Sequence, residues 1–355
     1  MKHKKNIKTL PFFSFNEERK ERILLTINDQ LIWFILVVFF IVVSLITPRF
    51  ATQLNITNIL LASAVLGIMV VGEVHLILQG KLDLSIESTL GFTAMLGGVL
   101  MWDLNFNPIL TIIIMLSTGV FIGFLNAMMV LKLKIEPFIV TLGMLIVLRG
   151  FSLVISGGIT RYNFPPIFRA FAAHTKDGLI SVPVIIMLIT FIIFHIILSK
   201  RVFGRQLYAV GGNVDAAYAA GINVNKVIIR SFLTSGFLAA LSGLILAARL
   251  NSVPTSLGEG MAFEVFAAAV IGGVSLQGGR GNLIGALGGV LLMSSINSAL
   301  TLTRVPTFWI DTSKGLILLF AVFLDTLKLR IVPVLRRKWL SHGEIYTIRT
   351  DEESK

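Results

Sequence analysis

Residues 108–131 read PILTIIIMLSTGVFIGFLNAMMVL, 24 positions without one charged side chain. As an α-helix rising 1.5 Å per residue the run is about 36 Å long, enough to cross a hydrocarbon core about 30 Å thick. It is apolar all the way round, whereas a surface helix of a soluble domain keeps one polar face. Outward from it the pattern recurs at 31–47, 56–78, 88–102, 135–156, 179–198, 227–247, 263–275, 283–303 and 312–329, which makes about ten candidate spans. Two of them, 88–102 and 263–275, are short for a full crossing. Each adjoins a polar or Gly-rich segment, so both are expected as broken or re-entrant helices covered by protein or water.

Composition agrees with this reading. The 355 residues are 55% hydrophobic and 14% charged, against roughly 25% charged in an ordinary soluble domain. This excludes intrinsic disorder, which needs low hydrophobicity and high charge. The absence of Cys excludes a disulfide scaffold and thiolate metal sites. The expectation is an all-α polytopic membrane protein of eight to ten spans. Its parts are an N-terminal tail over 1–30, a membrane domain over 31–330 and a C-terminal tail over 331–355.

The net charge of +12 reads as topology rather than as nucleic-acid binding. With the N-terminus placed in the cytoplasm and the spans alternated, 22 Lys and Arg fall inside, 6 outside and 3 (Arg149, Arg230 and Lys314) within spans. That asymmetry puts both termini on the cytoplasmic side. The basic N-terminal segment is followed by many spans and by no small-residue cleavage site, so it reads as a retained first helix rather than a signal peptide.

Little here suggests covalent chemistry. The five His are scattered, no HExxH or GxSxG occurs, and the Gly-rich run 272–281 (GGVSLQGGRG) lacks the Gly-Lys-Ser/Thr ending of a phosphate loop. Glycines in an apolar setting more often serve close helix packing, which is the reading given to Gly272, Gly273, Gly278 and Gly279. No enzyme activity, metal or cofactor is expected. If ATP drives the protein, a partner chain binds it.

Two segments stand out. Residues 199–225 (SKRVFGRQLYAVGGNVDAAYAAGINVN) form a basic, Gly-punctuated loop on the cytoplasmic side. Asn213 or Asp215 is placed to cap a two-turn helix in it, and Gly221 to end it. Such a helix can dock on a partner, or the loop can be a plain connector. Residues 80–87 (GKLDLSIE) put charge where the chain should be crossing lipid, with Glu73 and His75 just upstream. A carboxylate at bilayer depth costs about 2.5–3.5 kcal/mol and normally faces a cavity or a partner. Lys81 is a possible partner for Asp83, Glu87 or Glu73. Near the membrane interface these charges would instead be cheap.

The loop closely resembles the cytoplasmic coupling loop of permease subunits of bacterial monosaccharide ABC importers, the ribose, autoinducer-2 and rhamnose permease-like family. The pattern FGRxxYAxGGNxxAAxxxGI is matched at Phe203, Gly204, Arg205, Tyr208, Ala209, Gly211, Gly212, Asn213, Ala216, Ala217, Gly221 and Ile222. Residues 132–150 (KLKIEPFIVTLGMLIVLRG) are similar to the family's KIPxFIVTLGxxxxxRG, and 271–285 (IGGVSLQGGRGNLIG) to its IGGxSLxGGxGxxxG. Lys314 and Gly315 begin a stretch like its KGxxxxxAV. Asp83, Leu84 and Ser85 match its GGIDLSVG, while Lys81 and Glu87 stand where glycines are usual.

The resemblance implies a permease importing a monosaccharide or small polyol across the inner membrane. Its implied partners are an ATP-binding subunit, a periplasmic or lipid-anchored solute-binding protein, and a second permease, identical or homologous. It implies that Gly211, Gly212, Asn213, Asp215, Ala216, Ala217, Gly221 and Ile222 meet the ATPase. Asp83, Ser85, Glu73 and Glu87 are the candidates for the translocation pathway. A stand-alone secondary transporter or channel using Glu73, His75 and Asp83 is the rival reading. The particular sugar is not legible.

Overall fold

A computed structural model describes residues 15–173, 181–323 and 325–327, with side chains from residue 31 onward. The chain is a helical bundle. Its elements are α1 (Phe15–Ile46), α2 (Gln53–Ile77), α3 (Ile86–Trp102), α4 (Pro108–Lys132), α5 (Pro137–Ser156), β1 (Arg161–Tyr162), α6 (Pro166–Arg169), α7 (Val182–Lys200), α8 (Val202–Gly212), α9 (Val214–Ala219), α10 (Val224–Leu250), β2 (Ser252–Val253), α11 (Met261–Ile271), α12 (Leu283–Leu302) and α13 (Thr307–Leu327). A helix stands at each of the ten expected spans. Seven of the described helices are long and apolar enough to cross a membrane; the apolar part of α1 (Leu31–Ile46), α3 and α11 are shorter. The expected tails at 1–14 and 331–355 lie outside the described residues, and α1 runs back to Phe15 within the first tail.

Sequence explains several boundaries. Asn107 accepts hydrogen bonds from the Ile109 and Leu110 amides, and Pro108 fits the first turn of α4 because it has no N–H to lose. Pro137 does the same for α5. Asn223 caps α10 on the Lys226 amide, and Asn282 caps α12 on the Gly285 amide.

The bundle has two ends. At one, β1 pairs antiparallel with β2, Arg161 bridges Asp103 at 2.7 Å, and the Phe164 amide donates to the Asn251 side chain. These contacts gather the loops after α3, α5 and α10. At the other end the α2–α3 connection, α8 and the α11–α12 loop meet. Helix α10 is the axis: it packs on α2, α3 and α4, and Phe232, Leu238, Ala239, Leu244 and Ile245 on it are fully buried. By contrast α4, α5 and α7 show long apolar faces outward, including Ile113, Phe121, Ile146, Val154, Ile189 and Ile192. In water such faces would drive aggregation; here they are the lipid-facing or partner-facing surface.

Helices α4 and α10 approach through glycine. A Cβ at Gly119 would run into the Gly236 carbonyl, one at Gly123 into the Phe232 carbonyl, and one at Gly236 into the Gly119 carbonyl. Close backbone approach is what holds helices together where lipid removes the hydrophobic drive. Gly123→Ala should therefore cost about 1–3 kcal/mol, as overpacked sites do, and lower the thermal midpoint of the detergent-solubilised protein. Gly143→Ala, where a Cβ meets nothing within 4 Å, should leave the midpoint unchanged.

Candidate functional site

The break between α2 and α3 is built from the polar residues that 80–87 supplies. Its backbone would be orphaned in lipid, so side chains take over. Glu73 Oε1 accepts from the Asp83 amide at 2.9 Å. Asp83 Oδ1 accepts from the Ser85 amide at 3.0 Å and from the Ser85 hydroxyl, while Oδ2 accepts from Ser235 of α10 at 3.1 Å. Asn126 of α4 donates to Ser85 Oγ at 2.9 Å, and Thr141 of α5 accepts from the Leu84 amide at 3.1 Å. Four helices thus converge on one discontinuity. Glu73 and Ser85 are fully buried and Asp83 is 2% exposed. His75, also fully buried, bonds the Val71 carbonyl through Nδ1 and lies between Phe194 and Phe203. Lys81 forms no ion pair with Glu73, Asp83 or Glu87; the described salt bridges of these acids involve Arg149 alone.

Glu87 is placed differently from the other three pathway candidates. It is the second residue of α3 and lines two open cavities of about 250 and 290 Å³, both also lined by Arg149. Its Oε1 pairs with Arg149, and its Oε2 accepts from the Ala262 amide at 3.0 Å, at the N-terminus of the half-length helix α11. That end carries no side-chain cap, so the carboxylate of Glu87 also meets the positive end of the α11 dipole. Arg149 reaches on to Glu259 at 3.3 Å and its side chain stays 40% exposed. Behind α11, Glu264 binds Lys314 of α13 at 2.7 Å and Asn297 of α12 at 3.0 Å.

Among the site residues, the sequence reading missed Arg149 and Glu259. The signal was available for Arg149, a cation in the thirteenth of 20 positions of α5, about 18 Å from the helix start. A charge at that depth needs a partner. Glu259 carried no such signal, since it lies in a loop.

The 199–225 loop folds as α8 and α9. Asn213 Oδ1 accepts from the Ala216 amide at 2.9 Å, so it is Asn213 that caps α9. The helix ends with Gly221 at φ +79°, its amide on Tyr218 and the Ile222 amide on Ala217, the left-handed closure that glycine makes cheaply. Asp215, Ala216 and Gly221 are exposed and Ala217 is buried; Val214 and Tyr218 stand out, Tyr218 at 76% exposure.

The end of α8 is wedged into the bundle. A Cβ at Gly211 would collide with the Leu78 carbonyl and crowd Gly279, whereas Gly212 has open space. The Gly279 amide donates to that same Leu78 carbonyl at 2.8 Å, and Gly278 packs on Gly80. Tyr208 donates to the Gly281 carbonyl at 2.7 Å, and burial pushes its phenol up, so it stays a donor at neutral pH. Of the four glycines read as helix packers, Gly272 lies against Gly285 and Ala286 of α12, Gly273 makes a turn at φ +89° with open space beside it, and Gly278 and Gly279 pack on the loop end of α8 and the break.

A pleated bundle of broken helices, with buried charge at the breaks and a helical loop docked beneath them, defines a multi-pass membrane transporter subunit. Residues 55–324 match the profile of the family described as "Branched-chain amino acid transport system / permease component", and the chain belongs to this family. It is a permease subunit of the inner membrane and not an enzyme. The chain is 37% identical to the ribose import permease protein RbsC of Bacillus subtilis, over 81% of this chain and 89% of the relative. It is 33% identical to the L-arabinose ABC transporter permease protein AraH of Azospirillum brasilense, over 84% and 88%. It is 30% identical to the autoinducer 2 import system permease protein LsrC of Salmonella typhi, over 82% and 83%. No solved structure matches the chain. Nothing in these matches supports the stand-alone transporter.

The geometry at Asp83 gives a direct expectation. In Asp83→Asn the remaining oxygen can keep the Ser85 amide, and the new amide group can donate to Ser235, so assembly and uptake should stay near wild type. Asp83→Leu strands the Ser85 amide and the Ser235 hydroxyl, at about 1–3 kcal/mol for each buried group left unpaired. Its yield of folded protein, read by gel filtration in detergent, should fall sharply.

Proposed function

We propose that the chain is half of a transmembrane pore for ATP-driven import of a monosaccharide or related small polyol. A separate ATPase subunit drives it and an extracytoplasmic solute-binding protein feeds it. A second permease, identical or homologous, completes the pore. Both termini lie in the cytoplasm, as the distribution of Lys and Arg supports.

The observation that carries the coupling role is the Gly211 junction. Helix α9 offers an exposed, small-residue surface with Val214 and Tyr218 proud of it, and α8 runs from there to a backbone-on-backbone contact with Leu78 and Gly279. Leu78 opens the α2–α3 break and Gly279 belongs to the loop that follows α11. A push on α9 therefore reaches both discontinuous helices at once, with no flexible side chain to absorb it. Asn213, Asp215, Ala216, Ala217, Gly221 and Ile222 form the part that meets the ATPase, with Gly211 and Gly212 as the link.

Sugar rather than a branched-chain amino acid is favoured by two observations. The relatives named above are ribose, arabinose and autoinducer-2 permeases by name. The cavity beside Glu87 is lined by Ser88, Ser152, Thr255 and Ser256, hydroxyls suited to polyol contacts, beside the apolar Phe92, Leu153 and Leu257. Glu87 and Arg149 belong to the pore face, because an arginine 40% exposed at mid-span is costly against acyl chains. Asp83, Ser85 and Glu73 hold the break beside it.

Two measurements test this reading. In proteoliposomes holding the complete complex, Gly211→Ala should lose most substrate-dependent ATP hydrolysis and uptake, while Gly212→Ala should keep both. Equal behaviour of the two variants would make α8 a plain connector. Reporter fusions at Lys5 and Lys338 should both report the cytoplasm.

A further inference from the structure

The cavity between α3, α5 and the α10–α11 loop combines an apolar part, Phe92, Leu153 and Leu257, with two kinds of polar lining that have different uses. Four hydroxyl side chains, Ser88, Ser152, Thr255 and Ser256, offer donors and acceptors without charge. Three ionised groups, Glu87, Arg149 and Glu259, share one edge, and they sum to one negative charge. The Arg149 guanidinium is spent on two carboxylates at once, so it is not a free anchor for an anion. A cavity of about 250 Å³ lies just under the range of roughly 300–1,000 Å³ typical of sites for drug-sized ligands, which fits a compact ligand.

Resting on the pore reading above, we propose that this cavity is a charge-selecting polyol site: it binds an uncharged, hydroxyl-rich ligand of monosaccharide size and rejects its phosphorylated or carboxylated counterparts. The hydroxyls bond the ligand's own. The exposed carboxylate of Glu259, aligned by Arg149, accepts from vicinal hydroxyls as an ionised acceptor, which binds more tightly than a neutral one, while Glu87, its oxygens taken by Arg149 and the Ala262 amide, contributes charge to the wall. An incoming phosphate meets a net negative edge at contact distance, well inside the Debye length of roughly 8 Å over which salt screens like-charge repulsion. No bond forms or breaks, so the site sorts cargo by charge alone.

The chain has no Cys, which gives a clean reporter. Ser256, exposed at the cavity mouth, is replaced as Ser256→Cys in the complete complex, with Thr255→Cys as a second position should the first fail to assemble. Cationic and anionic methanethiosulfonates of similar size are applied, and each rate is normalised to that of a free thiol. The expected result is an about tenfold preference for the cation, the low end of what charged clefts produce. Adding Glu259→Gln or Glu87→Gln should reduce that preference. Millimolar D-ribose should slow modification, and D-ribose 5-phosphate should not. Equal normalised rates, or equal protection by the two sugars or by neither, would overturn the proposal. Uptake of D-ribose by the unsubstituted complex is measured in parallel. Uptake without protection overturns this site and leaves the transport reading standing; protection without uptake does the reverse.

Discussion

The interruption between α2 and α3 is held together by side-chain acceptors, Asp83 at their centre, in place of the helical ladder. Lipid offers no hydrogen bonds, so a helix that stops midway must find all its partners within the protein. Asp83 takes the Ser85 amide and the Ser235 hydroxyl, and Glu73 takes the amide of Asp83 itself. These bonds tie α2, α3 and α10 at one point, with Asn126 and Thr141 bringing in α4 and α5. Burial of Asp83 is met by donors rather than by cations, since no ion pair of Asp83 or Glu73 occurs among the described residues, while Glu73 has the Asp83 amide on Oε1 and no partner on its buried Oε2. The break is therefore rigid in its first shell of contacts and still a discontinuity in the ladder of helical bonds.

That combination explains where the other special residues stand. A break allows the start of α3 to be set at mid-depth, and Glu87, in its first turn, then reaches the bare N-terminus of α11. Helix α11 has only 11 residues, about 16 Å of rise, and the loop before it supplies Glu259 from within the bundle's depth. Two half-helices thus meet tip to tip around one arginine. Arg149 is the cross-brace of that meeting, and its position on the outer face of α5 is intelligible only if that face is not lipid. The glycine contacts under α8 complete the same arrangement from below, because Leu78 caps the end of α2 at the break and Gly279 lies in the loop between α11 and α12.

The sequence made the architecture legible because apolar length is a nearly sufficient signal for a membrane helix. All ten stretches are helical, and the two judged short, α3 and α11, are the two whose ends meet at Glu87. The loop was equally legible: Asn213 and Gly221 begin and end α9 for reasons of local hydrogen bonding and backbone conformation alone. The division of labour within 80–87 was not. Asp83 and Glu87 are four residues apart, both acids in an apolar setting, and no local rule separates them. What separates them is that Ser235 lies 152 residues from Asp83 and Ala262 lies 175 residues from Glu87. Likewise Gly273 and Gly278 look alike in sequence, yet only the second has Gly80 beside it.

Asp83 and Glu87 are each 2% exposed, yet their neighbours set them to different uses. A carboxylate whose two oxygens already accept three bonds has little left for cargo, and Asp83 is in that state. Glu87 also has both oxygens engaged, but by one amide of α11 and one guanidinium of α5, and it stands in the wall of the cavity between those helices. Moving α11 relative to α5 would therefore change the Glu87 surroundings first. The element that such a movement would follow is the 272–282 loop, which is held to α8 by the Tyr208 hydroxyl and to the break by the Gly279 amide. On the function proposed above, α9 and the Glu87 cavity are the two ends of one short lever, and small residues keep it short by letting chains touch where side chains would otherwise intervene.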